Sequence, residues 1–280
     1  LAGMLELPVL VMDSQRPGPA TGLPTRTGQE DLKMVVHSGH GEFPRAVFAP
    51  GTHRQCYDLV RRALETAHRF QTPVVLMIDQ FLADLQKNVE PLPSAPDPID
   101  RCVLTDPPAD YRRYAVTESG VSPRALPGFG PFVLADSDEH TEDGHITEDL
   151  AVRMRLQDKR MRKGRAMIAE VMDAEVYPAP AAEVLLSWGS SYGPCREAVD
   201  VLRGGGRDVC AVHFPQVWPI NAAAAGRHLE GRRVFAVEGN ATAQFADLLR
   251  AAGALEDFQP LVRYDGLPLT GEEIAGRVAG

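Results

Sequence analysis

Short apolar runs alternating with a long amphipathic pattern constrain the fold of this chain most strongly. Residues 46–49 and 74–78 are apolar and β-prone, and a capping-box pair, Thr52 and Gln55, follows the first run. Apolar side chains then recur at helical spacing over residues 53–70. A strand, a helix and a second strand at this spacing predict a right-handed βαβ unit with parallel strands. We therefore expect an α/β protein.

The alternation resumes in the last third of the chain. The expected elements are strands at 184–188, 208–214 and 233–237, a helix at 194–203 and a helix that begins near Phe245. The intervening residues are rich in proline, then acidic, and they close with a basic helix at about 150–172. The pattern predicts an α/β domain over 1–84, an irregular connection over 85–174 and a second α/β domain over 175–280.

Composition excludes several classes of function. The 280 residues carry a formal net charge of −9, which argues against a general nucleic-acid binder. No apolar run approaches the ~20 residues that span a membrane, and no signal peptide is visible, so we expect a cytoplasmic protein. The four cysteines are far apart in sequence and form no Cys-x-x-Cys pair. We therefore expect reduced cysteines and neither a zinc site nor an iron–sulfur cluster held by this chain.

A stiff polar loop over residues 13–31 is the first candidate site. It follows the apolar run 8–12, which we interpret as a buried strand, and it contains two arginines, three prolines and three glycines. Open α/β sheets bind ligands beyond the carboxyl ends of their strands. A guanidinium on such a loop is suited to binding a small carboxylate through two parallel hydrogen bonds. The alternative is a surface loop whose arginines form ordinary ion pairs.

The pentapeptide 189–193 matches Gly-x-Ser-x-Gly between a predicted strand and a helix, the context of a nucleophile elbow. Ser191 would be the nucleophile of a serine hydrolase, with Asp208 or Glu238 and then His213 or His228 as partners. Glycine and serine are also common where a strand turns into a helix. This interpretation is therefore an alternative and not the leading hypothesis.

The acidic, histidine-bearing segment 136–149 resembles a metal loop only superficially. Its glycine does not fall at the turn position of a calcium loop, and no glutamate closes it. His140 and His145 are five residues apart, so a helix would not bring them onto one face. A solvated acidic loop or helix cap is favoured, and we expect no metal site.

The ordered set of motifs resembles the α subunit of thiamine-diphosphate-dependent 2-oxoacid:ferredoxin oxidoreductases, and the 2-oxoglutarate type most of all. The matching segments are residues 15–29, 41–45, 79–84, 120–128, 138–140, 159–160, 188–190, 238–244 and 264–268. The resemblance implies that residues 1–84 are the rear part of a pyrimidine-binding domain and that 175–280 are a transketolase-C-terminal-like domain. It also implies that the family's N-terminal part is missing, so that this chain alone would be inactive.

The same resemblance implies an activity. A 2-oxoacid, most closely 2-oxoglutarate, would be decarboxylated oxidatively with coenzyme A to give acyl-CoA, CO₂ and reduced ferredoxin. Arg16 and Thr25 would bind the substrate carboxylate, and Gly18, Thr21 and Gly22 would shape their loop.

Asp138, Glu139 and His140 are weaker candidates near the active centre. The resemblance implies a separate β subunit that carries most of the thiamine diphosphate site, Mg²⁺ and a [4Fe–4S] cluster. A third hypothesis, a non-catalytic interaction subunit, stays open at this point.

Overall fold

A computed structural model describes residues 1–93, 98–128, 130 and 132–280. The strands are β1 (Val9–Gln15), β2 (Ala46–Phe48), β3 (Pro73–Asp79), β4 (Glu175–Tyr177), β5 (Glu183–Trp188), β6 (Val209–Phe214), β7 (Gln216–Trp218), β8 (Arg233–Glu238) and β9 (Gln259–Val262). The helices are α1 (Leu32–His37), α2 (His53–Phe70), α3 (Gln80–Asp84), α4 (Leu150–Ala169), α5 (Tyr192–Gly204), α6 (Ala222–Leu229), α7 (Gln244–Ala251) and α8 (Gly271–Ala279).

The first sheet has the strand order β1-β3-β2-β7. Strands β1, β3 and β2 are parallel, and α2 connects β2 to β3, so the predicted strand–helix–strand unit with parallel strands is confirmed. Thr52 caps α2 because its hydroxyl accepts a hydrogen bond from the amide of Gln55 at 3.1 Å. The buried side of α2, including Leu59 and Ala63, packs against Phe48 and Leu76 of this sheet.

The second sheet has the order β4-β6-β5-β8-β9, with β5, β6, β8 and β9 parallel. Helices α5 and α8 cover one face, where Val199 and Ile274 share a buried cluster with Leu185. On the other face, Trp188 and Phe245 pack in a cluster that also contains Val47 of β2. One apolar cluster therefore spans both sheets and fixes how their carboxyl edges meet.

The last part of the chain also contributes to the first sheet. Strand β7 pairs antiparallel with β2, Val47 lying opposite Trp218. The predicted boundaries at residues 84 and 174 stay predictions. Among the described residues, no helix combines the length and the apolar character needed to cross a membrane.

Two expectations need correction. The run 8–12 is not a buried strand, because β1 pairs with β3 alone and lies at the edge of the sheet, where Val11 is 48% and Met12 66% exposed. The basic helix ends at Ala169 instead of near residue 172, and several of its charged side chains are buried. Composition shows that a helix is basic, but the packing around it decides which of its charged side chains are exposed to solvent.

Candidate active site

The polar loop leaves the first sheet at its carboxyl edge, as expected. Strand β1 ends at Gln15, opposite the last residue of β3. The side chains of Arg16, Thr21 and Thr25 are exposed, so both predicted carboxylate-binding groups are accessible in this chain. The geometry brings them into one loop that no secondary structure interrupts before α1.

Backbone contacts give the loop its shape. The amide of Leu23 donates to the carbonyl oxygen of Pro17 at 3.1 Å, which closes the loop on itself. Gly22 has a φ of +51°, and a Cβ there would lie 1.8 Å from the Pro17 oxygen, so only glycine fits. Gly18 donates its amide to Glu30 at 2.8 Å. The predicted shaping glycines therefore act differently: Gly22 leaves space, and Gly18 uses its backbone.

Three carboxylates lie at the base of the loop. Burial and the neighbouring charge of Asp31 raise the pKa of Asp13 to about 6. Burial and Glu30 raise the pKa of Asp31, while the positive charge of Arg16 opposes that rise. Arg16 thus lies close enough to Asp31 to feel its charge, and a ligand carboxylate would add a second counter-charge to the same guanidinium.

The weaker candidates lie against α4. Glu139 accepts two hydrogen bonds from Arg160, at 3.1 and 2.8 Å, and one from Arg153 at 2.7 Å, which hold its pKa below the usual range against the effect of burial. The His140 ring is buried, and its centroid lies 3.8 Å from that of Tyr114. Asp138 is exposed, and its backbone carbonyl oxygen accepts a hydrogen bond from His140 Nδ1. These contacts join the segment to α4 and not to the loop of Arg16.

Beside them lies a buried ionic cluster that sequence reasoning missed. Glu6 accepts hydrogen bonds from Lys159 and from Lys163, each at 2.7 Å, and all three side chains are inaccessible to solvent or nearly so. Burial opposes the ionisation of Glu6, but the two ammonium groups outweigh it and hold its pKa at about 2. The i,i+4 spacing of the two lysines on α4 was a visible signal, but nothing in the sequence indicated their partner.

Ser191 does not have the geometry of a nucleophile. Its hydroxyl donates to the carbonyl oxygen of Trp188 at 2.8 Å, and the residue is buried in a helical conformation at the start of α5. Its proposed partners are engaged elsewhere: Asp208 with the amide of Ala182, His228 with Asp173, Glu238 with the amides of Phe245 and Ala246, and His213 stacked on Tyr192. No triad forms, so the structure does not favour a hydrolase.

The described residues do not assemble a metal site. Across the described ranges, no group of three or more His, Cys, Asp or Glu side chains is placed to hold a metal ion. The cysteines are free thiols, two of them buried and two half-buried. The described residues therefore do not fit Mg²⁺ or an iron–sulfur cluster, and no step of the reaction is assigned to such a group here.

Two predominantly parallel sheets meet at their carboxyl edges around a polar loop that exposes Arg16. This arrangement defines an α/β protein. Comparison with known proteins gives the family. The family model described as pyruvate flavodoxin/ferredoxin oxidoreductase, thiamine diphosphate-binding, matches residues 1–159. The chain belongs to this family, as its motifs predicted.

Several relatives match almost the whole chain. The α subunit of 2-oxoacid:ferredoxin oxidoreductase 2 from Aeropyrum pernix is 38% identical over 99% of the chain. The 2-oxoglutarate oxidoreductase subunit KorA from Mycobacterium tuberculosis is 32% identical over all of it. The chain covers only 44% of each of these two relatives, so it spans less than half their length.

A solved structure supports the fold. The 2-oxoglutarate:ferredoxin oxidoreductase from Magnetococcus marinus, with 2-oxoglutarate, coenzyme A and succinyl-CoA bound, superposes with a TM-score of 0.89 at 31% identity. The match covers 99% of this chain and 49% of that one. The expected α/β class with parallel sheets is confirmed.

Proposed function

We propose that this chain is part of the α subunit of an oxidoreductase that decarboxylates a 2-oxoacid, 2-oxoglutarate being the favoured substrate. Coenzyme A would accept the acyl group, and ferredoxin would accept the electrons, giving acyl-CoA, CO₂ and reduced ferredoxin. The observation that carries the proposal is the exposed Arg16 on a closed loop at the sheet's carboxyl edge. The Magnetococcus relative, which binds 2-oxoglutarate and coenzyme A, supports the choice of substrate class.

The resemblance to the family assigns a role to each of these residues, and the exposure of Arg16, Thr21 and Thr25 supports the assignment. Arg16 would bind the substrate carboxylate through two parallel hydrogen bonds, and the Thr25 hydroxyl would donate a third. Gly18, Thr21 and Gly22 would maintain the loop that carries them. Fixing the carboxylate fixes the position of the keto carbon, and a well-oriented reacting group removes much of the entropic barrier.

The remaining parts would come from outside the described residues. Thiamine diphosphate, when bound, supplies the nucleophilic carbon and the electron sink for decarboxylation. A β subunit would hold most of that cofactor, its Mg²⁺ and a [4Fe–4S] cluster. Asp138, Glu139 and His140 remain proposed active-centre residues of lower priority, and a cytoplasmic location remains a prediction.

The test is Arg16→Ala in the complete α subunit assembled with its β subunit. We expect the KM for 2-oxoglutarate to rise by the equivalent of about 2–5 kcal/mol, because a charged partner of the carboxylate is lost. The control is Arg26→Ala, which removes a second exposed arginine from the same loop. Steady-state kinetics with ferredoxin reduction as the signal measures both.

Two outcomes separate the proposal from its alternatives. An unchanged KM and kcat in Arg16→Ala would remove Arg16 from the site and favour the non-catalytic interaction subunit. A fluorophosphonate probe should leave Ser191 unlabelled, and specific labelling of Ser191 would restore the hydrolase hypothesis.

A further inference from the structure

At the exit of the polar loop, one glutamine makes four hydrogen bonds to the second domain. Gln29 is 3% exposed, and its Nε2 donates to the carbonyl oxygen of Trp188 at 2.8 Å. Its Oε1 accepts from the amide of Gly239 at 2.8 Å, and its own amide donates to the Gly239 oxygen at 2.7 Å. Its carbonyl oxygen accepts from Asn240 Nδ2 at 3.1 Å. All four polar groups of Gln29 therefore bond to the second domain.

The neighbouring Thr27 adds contacts to both domains. Its amide donates to the carbonyl oxygen of Gly266 at 3.2 Å. Its hydroxyl accepts from the amide of Phe81 at 3.2 Å and bonds the buried carboxylate of Asp79. Asp79 in turn accepts a hydrogen bond from the Ser190 hydroxyl, which comes from the second domain. Residues 27–29 thus lie between the carboxyl edges of both sheets.

The partners of this segment share a place in the fold. Trp188, Glu238 and Val262 end β5, β8 and β9, which are neighbouring parallel strands. The second-domain partners of residues 27–29 lie at or just beyond those ends. This edge is where open α/β sheets bind ligands. In this protein a segment of the first domain occupies it.

We propose that the second domain supports the carboxylate-binding loop and that Gln29 is the positioning residue through which it does so. The inference rests on the proposed function, in which Arg16 and Thr25 bind the carboxylate of the substrate. Gln29 touches no reacting atom. It fixes one end of the loop, while the pairing of β1 with β3 fixes the other. A displacement of about 1 Å at such a site lowers kcat/KM strongly.

The space around the Gln29 amide is matched to it. A Cβ on Gly189 would lie 2.8 Å from Gln29 Nε2, so a side chain there would displace the amide. Loss of the amide would remove one of the two hydrogen bonds to the buried Trp188 oxygen, which also accepts from Ser191, and would leave the partly buried Gly239 N–H without its partner. Opening of the segment relieves that unfavourable state.

Tryptic cleavage of the 280-residue chain measures how often residues 27–29 detach from the second domain. Arg26 is exposed, but cutting the Arg26–Thr27 bond requires residues 27–29 to leave their partners. Cleavage after Lys87, in an exposed segment, provides an internal reference. In Gln29→Ala and in Gly189→Ala, we expect the ratio of cleavage at Arg26 to cleavage at Lys87 to rise by about 5- to 30-fold, the range for one or two lost interactions.

Matched controls exclude general destabilisation. Gln216→Ala removes another buried glutamine, whose amide bonds the Met172 N–H and the Trp218 oxygen far along the sequence from the loop. Gly231→Ala adds a side chain at a φ of +69° in open space, so it reproduces the backbone strain of Gly189→Ala without contacting Gln29. Both controls should leave the cleavage ratio unchanged.

Kinetics of the assembled enzyme completes the test. Gln29→Ala should raise the KM for the 2-oxoacid by about tenfold and change kcat less, because binding of the carboxylate is weakened before and during reaction. Gln216→Ala should leave the KM unchanged.

Three outcomes are decisive. A cleavage ratio in Gln29→Ala no higher than in Gln216→Ala would overturn the inference. A raised ratio with an unchanged KM, in an enzyme where Arg16→Ala does raise the KM, would overturn the positioning role. If Arg16→Ala and Gln29→Ala both leave the KM unchanged while the ratio rises, the attachment is confirmed and the proposed carboxylate site fails.

Discussion

The buried lysines of α4 and the arginine of the polar loop lie in opposite environments. Lys159 and Lys163 are buried against Glu6, 2.7 Å from its oxygens, and they also donate to backbone carbonyls. Arg16 is exposed on its loop, within the electrostatic influence of Asp31. The lysines share one buried carboxylate and serve the architecture of the protein, whereas the charge of Arg16 remains available to a ligand. The partner inside the protein, more than the type of residue, decides the role of a cation.

The buried cluster holds an N-terminal segment in place. Arg113 joins it by donating to the carbonyl oxygens of Leu5 and Glu6 and to Gln71 Oε1. Burying ions costs several kcal/mol each, and only a complete set of partners offsets that cost. Loss of one member of the cluster should therefore lower the free energy of unfolding strongly. A substitution in the exposed loop should mainly weaken ligand binding.

Glu6→Gln should produce the largest effect and is the strongest test of this contrast. Two buried ammonium groups would lose their counter-charge, so we expect the free energy of unfolding to fall by about 3–5 kcal/mol at pH 7. Urea unfolding of the chain measures it. The control is Glu65→Gln, which breaks a half-exposed i,i+4 pair with Arg61 and should cost less than about 1 kcal/mol.

The pH dependence of this effect has a definite sign. The folded-state pKa of Glu6 is about 2, below its ordinary value of 4.5. The contribution of ionised Glu6 to the free energy of unfolding is complete above pH 4.5 and is lost as the pH falls towards 2. The difference in the free energy of unfolding between wild type and Glu6→Gln should therefore decrease as the pH is lowered. A constant difference from pH 7 to pH 3 would contradict an ionised Glu6.

Gly22→Ala tests the loop side of the comparison. A Cβ at this position would overlap the Pro17 oxygen, so the loop must shift, at a cost of about 1–3 kcal/mol that appears mainly in the KM for the 2-oxoacid. Two controls are matched to it. Gly41→Ala adds the strain of a φ of +70° in open space, and Gly18→Ala would meet its nearest neighbour at 3.7 Å, so neither should change the KM. Equal KM values in all three variants would show that the shape of the loop does not matter.

Asp13→Asn should produce the smallest effect. The pKa of Asp13 is raised to about 6 by burial and by Asp31, and its Oδ2 is a buried atom without a hydrogen-bond partner in the described structure. The folded state therefore binds a proton that the unfolded state releases between about pH 4 and 6, and stability falls as the pH rises through that window.

The substitution should consequently raise the free energy of unfolding by about 1 kcal/mol at pH 7.5, after allowance for partial exposure, and leave it unchanged at pH 3.5. Thermal unfolding at the two pH values, with Asp110→Asn as the exposed control, checks it. A gain of the same size at both pH values would contradict the raised pKa.

Sequence reasoning succeeded where the pattern is local. Helix α2 was predicted over its observed range because a capping residue and an apolar stripe mark it along the chain. The expected strands of the second sheet agree with β5, β6 and β8 to within a residue at either end. Short elements such as α3, β4 and β7 were missed, since three to five residues carry too little periodicity to predict.

The candidate site divides in the same way. The loop of Arg16 and Thr25 was visible because proline, glycine and arginine are concentrated in one stretch. Ser191 showed the opposite case, a local motif whose three-dimensional surroundings hold no triad. Gln29 was part of a matching motif, but its role was not visible, because its partners lie more than 150 residues away in the chain.

From the order of its residues alone, this chain was recognisable as an α/β protein of its family with a polar, arginine-bearing loop after an early strand. Those conclusions depend on periodicity, capping and short motifs, which are properties of neighbours in sequence. Folding added the rest: which lysines are buried against Glu6, why β1 is an edge strand, and which turns hold Gln29. The physical reason is that burial and hydrogen-bond satisfaction depend on segments that meet only when both sheets pack together.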